Sequence, residues 1–366
     1  MRWGSGVPEA TPGLGELIDM QIRAGGPMSV ATYMGLCLTH PRHGYYSGSD
    51  PLGQQGDFVT APEISQMFGE LIGFFCVNLW QQMGEPPSFT LLELGPGRGT
   101  LMQDALRAAS RAPGFADAVH LQLFETNIAL KAMQEERLGR YHPYWASEID
   151  AVSDDPLLVV ANEFFDALPI RQFVRAPDGW HERQIGVRDG RRAFGLSPTA
   201  IPETALPEAV RDAEQGAVYE AGLAAQDAMQ RLGRKIAAQG GALLAIDYGY
   251  ERTRTGETLQ AVRRHAFADP LESPGEADIS AHVDFEALGT AARAVGLELA
   301  PLRTQDWFLR HLGIEERAAM LSRANPGQAG EIESALARLT GKDQMGELFK
   351  VFCAHSPGLV APGLDS

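Results

Sequence analysis

The stretch that most constrains the fold is Leu91-Leu92-Glu93-Leu94-Gly95-Pro96-Gly97-Arg98-Gly99-Thr100. An apolar run after Ser88 and Phe89 ends in an acid and three alternating glycines, and Leu101 to Ala109 then carries a helical pattern. The segment therefore reads as strand, tight turn, helix. In an open α/β sheet, ligands bind outside the carboxyl ends of the strands where the chain order reverses, so this turn is the expected floor of a cofactor site. Glycine suits it because a Cβ would block positive φ or keep a ligand off the backbone. The competing reading is a ligand-free αβ turn whose acid caps a helix.

The spacing decides which cofactor to expect. A dinucleotide fingerprint, G-x-G-x-x-G, needs glycine at position 100, where Thr100 stands, and the third glycine comes one place early at Gly99. Glu93-x-Gly95-x-Gly97-x-Gly99 instead resembles the glycine loop of S-adenosylmethionine-dependent methyltransferases, whose cofactor has an amino-acid end and a ribose end but no pyrophosphate. On that resemblance, Gly95 and Gly97 bring backbone to the methionine moiety and Glu93 approaches its ammonium. Glu125, ending the strand Val119 to Phe124, accepts hydrogen bonds from the ribose hydroxyls. Two signals at the ends of successive strands favour a ligand over a bare turn. For adenine, Ser147, Glu148 and Ile149 lie near the end of the third strand, and none is singled out.

Size and charge bound the rest. With 366 residues the chain can bury an α/β core plus an accessory one. A net charge of −16 makes nucleic acid an unexpected partner. No apolar run reaches the roughly 18 to 20 residues that span a bilayer. Met1 to Gly6 carries neither a secretory nor a transit pattern, so a cytoplasmic location is expected. The three cysteines, Cys37, Cys76 and Cys353, lie far apart in apolar surroundings and suggest buried small hydrophobes, with no disulfide and no metal.

Along the chain, 14 to 40 reads as two helices broken at Gly25-Gly26-Pro27, followed by a turn presenting Tyr45 and Tyr46. The loop from Gly56 to Pro62 runs into a helix expected over Ile64 to Trp80. Glu63 can be an ordinary first-turn acid favoured by the helix dipole, whereas Asp57 has no such explanation. Pro156 to Ala161 is a buried strand ending in Asn162-Glu163. Turns at Pro177-Asp178-Gly179 and Arg188-Asp189-Gly190 suggest an antiparallel β insertion. Helix is expected from about Glu208 to Gln239, then a strand Ala242 to Ile246 ending at Asp247-Tyr248. A polar excursion follows over 251 to 281, in which Arg263-Arg264-His265 reads as a solvated face. A helix from Asp284-Phe285, a strand from Leu297 to Arg303 and a last strand from Phe349 to Ala354 complete the pattern. The expected division is an N-terminal helical lobe and lid over 1–80, the first part of the α/β domain over 81–170, an insertion over 171–239, and the remainder over 240–366 with an excursion at 251–285.

Several stretches together carry a closer resemblance. Gly56-Asp57-Phe58-Val59-Thr60-Ala61-Pro62-Glu63-Ile64-Ser65-Gln66-Met67-Phe68-Gly69-Glu70 resembles the signature of the MidA family, whose mitochondrial members are called complex I assembly factor 7. The glycine loop is similar to that family's, as are Asn162 to Pro169, Asp247 to Tyr250, Asp278 to Phe285 and Met345 to Lys350. The resemblance implies an α/β, class I Rossmann-like methyltransferase sheet with an added, mainly helical substrate-binding lobe. It implies S-adenosyl-L-methionine as cofactor, and as protein substrate an arginine of the 49 kDa-type subunit of respiratory complex I. The sequence leaves the oligomeric state open, a homodimer included.

Arginine is a difficult nucleophile because its guanidinium stays protonated, with a pKa above about 12. Carboxylates must align it and accept its proton as methylation proceeds. The candidates are Glu163 and Asp166 at the sheet edge, with Asp57, Glu63, Asp278 and His282 approaching from the added lobe; Glu163 and Asp57 come first. A helix N-terminal acid is the plain alternative for Glu163, and a cap with a satisfied loop histidine is the alternative for His282-x-Asp284. Glu93, Gly95, Gly97, Glu125 and Asn162 are assigned to the cofactor, with Thr60 and Pro62 as lid contacts. Two other functions fit the same residues: a small-molecule methyltransferase, or an assembly factor that binds the cofactor without turnover.

Overall fold

A computed structural model describes residues 12–47 and 60–365, so Asp57 lies outside the described residues. One large sheet organises the chain. Its main path runs, in spatial order, Glu298–Leu299, Phe349–His355, Gly241–Tyr250, Leu157–Asn162, Phe89–Leu94, Val119–Phe124 and Tyr144–Ala146. Neighbours from Gly241–Tyr250 to Tyr144–Ala146 pair in parallel, and Phe349–His355 lies antiparallel to Gly241–Tyr250. From Phe89–Leu94 the chain adds two strands on one side and then crosses back to place Leu157–Asn162 on the other. The order reverses between these two strands, where an open α/β sheet leaves its ligand crevice. This is the open α/β sheet expected from the glycine turn, in the Rossmann-like form that the resemblance implies.

Burial on both faces explains why the strands are unbroken apolar runs. Leu91, Leu158, Val160, Leu244 and Ile246 face a layer containing helices Gln66–Gln82 and Thr100–Ala109. The alternate residues Leu92, Leu94, Val159, Leu243 and Ala245 face helices Leu223–Gln239 and Phe285–Arg293. In the first layer Phe68, Phe75 and Trp80 are buried, each contributing about 2 to 3 kcal/mol of apolar transfer. Their helix lies unusually close to Thr100–Ala109, because a Cβ on Gly73 would come within 2.3 Å of the Ala105 carbonyl oxygen.

The added parts have their own core. Helices Leu14–Gly25 and Val30–Thr39 bury Ile18, Tyr33, Met34 and Leu38 against strands of two small sheets. One contains Arg171–Ala176, Gly179–Arg188 and Arg191–Ile201, turned at the two sites read from sequence. The other is formed by Gln260–Arg263, Ala266–Ala268 and Asp278–Ser280. Arg264 and His265 have positive φ and make the turn of its hairpin, so the basic triplet is a β-turn. The three cysteines are buried and free. Among the described residues no helix is long and apolar enough to cross a membrane.

Three expectations change. The helix predicted over Ile64 to Trp80 is two, Ala61–Ile64 and Gln66–Gln82, because Ser65 is extended and its hydroxyl accepts the Met67 N–H as an N-cap. The helix predicted over Glu208 to Gln239 contains a strand, Val218–Ala221. Its apolar residues complete the insertion sheet by pairing with Arg171–Ala176, a tertiary demand that overrides local propensity. The strand predicted over Leu297 to Arg303 is two short pieces, Glu298–Leu299 and Arg303–Thr304, both on Phe349–His355.

Candidate functional site

Register assembles the site. Leu94 pairs with Ala161 and with Phe124, and Asn162 pairs with Ile246, so the residues just beyond lie along one carboxyl edge. They are Gly95, Glu125, Glu163 and Asp247. Backbone hydrogen bonds extend the edge: Gly95 N–H donates to Phe124 O at 3.1 Å, and Glu163 N–H to Ile246 O at 2.9 Å.

At the glycine turn, Gly95, Gly97 and Gly99 all have positive φ, as the tight turn requires. A Cβ on Gly95 would meet the Phe164 ring at 3.2 Å. Glu93 is buried beneath the turn, and its Oε2 has no partner. Burial, with the charge of nearby Glu125, pushes its carboxyl up to about 8. Glu125 Oε1 accepts the N–H groups of Thr126 and Asn127, both at 2.7 Å. Burial raises its pKa, against these hydrogen bonds. Asn127 caps the helix Ile128–Leu138 through its side chain.

Sequence reasoning missed Gln134. Fully buried on that helix, it donates through Nε2 to the Gly97 carbonyl at 2.6 Å and reaches Glu125 Oε2 at 3.5 Å. Trp145 Nε1 donates to its Oε1 at 2.7 Å, which fixes the amide orientation. A buried glutamine two helical turns past the acid is a weak signal in one sequence.

Beyond the switch point the edge turns acidic. Glu163 sits at φ +51°, a left-handed conformation that costs a non-glycine residue on the order of 1 kcal/mol. Its Oε1 accepts from Asn162 Nδ2 at 3.1 Å and from Ala61 N–H at 3.4 Å. Burial and the charge of Asp166 push the Glu163 carboxyl up to about 8. Asp166 is buried, takes a hydrogen bond from the Tyr248 hydroxyl on Oδ2, and has an unpartnered Oδ1. Burial raises its carboxyl to about 6, against the tyrosine hydrogen bond. Asp247 Oδ2 receives the N–H groups of Phe165 and Asp166, at 3.0 and 3.2 Å, and burial beside Asp166 and Glu163 drives its pKa up. Tyr46 donates to Asp278 Oδ1 at 3.0 Å, and Tyr248 also contacts Ser280 at 2.7 Å. Asp247, Tyr248 and Tyr46 were not assigned roles from sequence. An acid ending a strand, as Glu93 and Glu163 do, was the available signal at Asp247.

The other candidates are placed as follows. Asn162 stands beside Glu163 with its Oδ1 buried and unpartnered. Thr60 and Pro62 are half-buried at the start of the short helix that carries the Ala61 N–H. His282 lies one shell back, its ring edge-on to Tyr248 at 5.4 Å between centroids, and burial lowers its pKa. Asp284 caps the helix Phe285–Arg293, the alternative read for that motif.

The family model for S-adenosyl-L-methionine-dependent methyltransferases matches residues 71–302. The chain belongs to this family. Curated relatives named "Protein arginine methyltransferase NDUFAF7, mitochondrial" are similar along most of the methyltransferase. That of Danio rerio is 36% identical over 361 residues, covering 91% of this chain and 84% of the relative. That of Mus musculus is 35% identical over 374 residues, covering 94% and 84%. A crystal structure of a Burkholderia thailandensis protein bound to S-adenosyl-homocysteine superposes with a TM-score of 0.82 at 28% identity, covering 98% of this chain and 96% of that one. The resemblance read from the motifs is borne out, and the cofactor of this methyltransferase is S-adenosyl-L-methionine. The turn fits it. An orphaned acid beneath three positive-φ glycines, next to a second acid, offers acceptors to an ammonium and to ribose hydroxyls.

Proposed function

We propose that this methyltransferase modifies an arginine side chain of a protein, and that its acceptor is the 49 kDa-type subunit of complex I. One observation carries the reading: among the described residues, the sheet edge beside the cofactor turn gathers hydrogen-bond acceptors without cations. Glu163, Asp166 and Asp247 crowd one sheet edge, and Asn162 Oδ1 and Asp166 Oδ1 are buried without partners. Among the described residues, no lysine or arginine forms an ion pair with these acids. A guanidinium carries five donors and no acceptor, so it complements such a surface. The names of the relatives agree.

When bound, S-adenosylmethionine supplies an electrophilic methyl group on a sulfonium. The protein's part is orientation and proton transfer. Asp166 and Asn162 hold the guanidinium through Oδ1 atoms. Glu163, ionised by the incoming cation, accepts the proton that the attacking nitrogen releases as its bond to the methyl carbon forms and the carbon–sulfur bond breaks. Crowded acids with raised pKa values suit a base working near neutral pH. Glu93, Glu125, Gly95, Gly97 and Gln134 hold the cofactor.

The test is radiolabelled methyl transfer to the purified 49 kDa-type subunit of the same cell, with mass spectrometry to place the label. Label on arginine that is absent with Glu163→Gln is expected. Calorimetric cofactor binding without label would refute this acceptor, and label on a small molecule from lysate would favour the small-molecule alternative.

A further inference from the structure

The short helix Ala61–Ile64 touches both halves of the site. On the cofactor side the Thr100 hydroxyl donates to Glu63 Oε1 at 2.5 Å, and Thr100 Oγ1 accepts from Arg137 Nη1. Thr100 opens the helix that leaves the glycine turn, and Arg137 lies on the helix that follows Glu125. On the acceptor side, buried Ala61 gives its N–H to Glu163 Oε1. A four-residue helix has no stability of its own, and Thr60 supplies no side-chain cap. Its placement depends on what grips it. Ala61 and Ile64 pack into the main core, and the Glu63–Thr100 hydrogen bond is the side-chain grip that ends on the segment shaping the cofactor turn.

We propose that Glu63 is a positioning residue: by tying Ala61–Ile64 to Thr100 it holds the Ala61 N–H against Glu163 and so couples the cofactor turn to the acceptor-side carboxylate. The proposal rests on the reading of Glu163 as proton acceptor. The groups facing Glu163 are the acids Asp166, Asp247 and Asp278, the Asn162 amide and the Ala61 N–H. Tyr46 and Tyr248 are engaged with Asp278 and Asp166. Glu63 faces Thr100 and Arg137, with Asp104 near both. Among the described residues, burial and the charges of Asp166 and Asp278 oppose the ionisation of Glu163, and the Asn162 and Ala61 N–H donors favour it. Losing one moves its titration to higher pH.

The experiment uses the full chain with carboxyl-labelled glutamate, following Glu163 by carbon NMR and assigning its signal by its loss in Glu163→Gln. Glu63→Ala is expected to shift the Glu163 titration upward by about half a unit, the scale of one long hydrogen bond. It should lower kcat about threefold, the factor that half a unit corresponds to, while leaving the calorimetric Kd for S-adenosylmethionine within about twofold. Glu63→Gln keeps an amide oxygen for Thr100 and should restore most of both properties. Thr100→Val removes the same contact from the other side, together with the Arg137 contact, and should move the Glu163 titration as Glu63→Ala does, with no further shift in the double variant. An unmoved titration in Glu63→Ala overturns the proposal. So does a Glu63→Gln as impaired as Glu63→Ala, which would assign Glu63 to the helix dipole through its charge. If the titration moves as expected but Glu163→Gln still transfers methyl groups at the wild-type rate, the reading of Glu163 fails while the coupling stands.

Discussion

Glu93 is the buried acid proposed to meet the ammonium of the cofactor, and its cost in the cofactor-free protein is measurable. Burial and Glu125 raise its carboxyl from 4.5 to about 8. Each unit corresponds to 1.36 kcal/mol, so keeping Glu93 ionised in the free protein costs up to about 5 kcal/mol, and about half of that once water and neighbours relax. The sign follows from which state holds the proton. Below about 4.5 both folded and unfolded chains are protonated, and Glu93→Gln is neutral. Between 4.5 and 8 the folded state holds the proton that the unfolded state has released, so wild-type stability falls as pH rises. Above 8 the variant leads by the full amount. Denaturant unfolding of the free protein should therefore show Glu93→Gln more stable by about 2 to 5 kcal/mol at pH 8.5, and equal to wild type at pH 4. Binding should reverse the order. With its carboxyl raised to about 8, Glu93 is mostly protonated at pH 7 in the free protein, and on this assignment a cationic ligand end would expel that proton. Calorimetry in two buffers of different ionisation enthalpy should find nearly one proton released by wild type and none by Glu93→Gln, with weaker binding by the variant. A wild type that releases no proton, together with a variant that gains no stability, would refute the assignment of Glu93.

Glu125→Ala should weaken cofactor binding by roughly 1 to 3 kcal/mol, the scale of hydrogen bonds lost at a buried acceptor; unchanged calorimetric affinity would remove Glu125 from the site. Gly95→Ala forces a Cβ towards Phe164 at a φ of +63°, and should lower stability by about 1 kcal/mol or more in urea while reducing cofactor affinity. Glu70 is buried and bonded by Arg317 at 2.6 and 2.9 Å and by Arg107 at 3.0 Å, joining three helices. Glu70→Ala should cost about 2 to 4 kcal/mol by denaturant unfolding, most of it from leaving Arg317 without its partner; a loss under about 0.5 kcal/mol would show the pair to be solvent-screened.

The parts legible in the sequence were those fixed by local chemistry. Glycine at 95, 97 and 99 had to mean positive φ, and Val119 to Phe124 followed by an acid had to place that acid at a strand end. The hairpin turns at Gly179 and Gly190 announced themselves in the same way. What escaped was set by partners distant in sequence. Val218–Ala221 is a strand only because Arg171–Ala176 offers it an edge, and nothing within 208–239 requires that. The helices Gln305–His311, Ile314–Ala324 and Ala329–Thr340 went unassigned, although they cover the sheet face that holds Leu244 and Ile246.

The same distinction explains the half of the site that the sequence left incomplete. Glu93 and Glu163 are both acids just beyond a buried apolar run, and that pattern marks a carboxyl-edge group without saying what it faces. Asp247 has the same pattern, yet its Oδ2 is turned back onto the Phe165 and Asp166 N–H groups, where it shapes the turn carrying Asp166. Only the fold separates an acid left with an unpartnered oxygen, as Glu93 is, from one that braces the turn beside it. Tyr46 and Tyr248 follow the same logic. Each spends its hydroxyl on an acid of the cluster, Asp278 or Asp166, from segments some 200 residues apart in sequence. A tyrosine O–H donated to an acid favours the ionised acid without adding positive charge. Among the described residues no lysine or arginine pairs with Glu163, Asp166 or Asp247, and on the proposed reading the substrate's guanidinium is the cation that neutralises them.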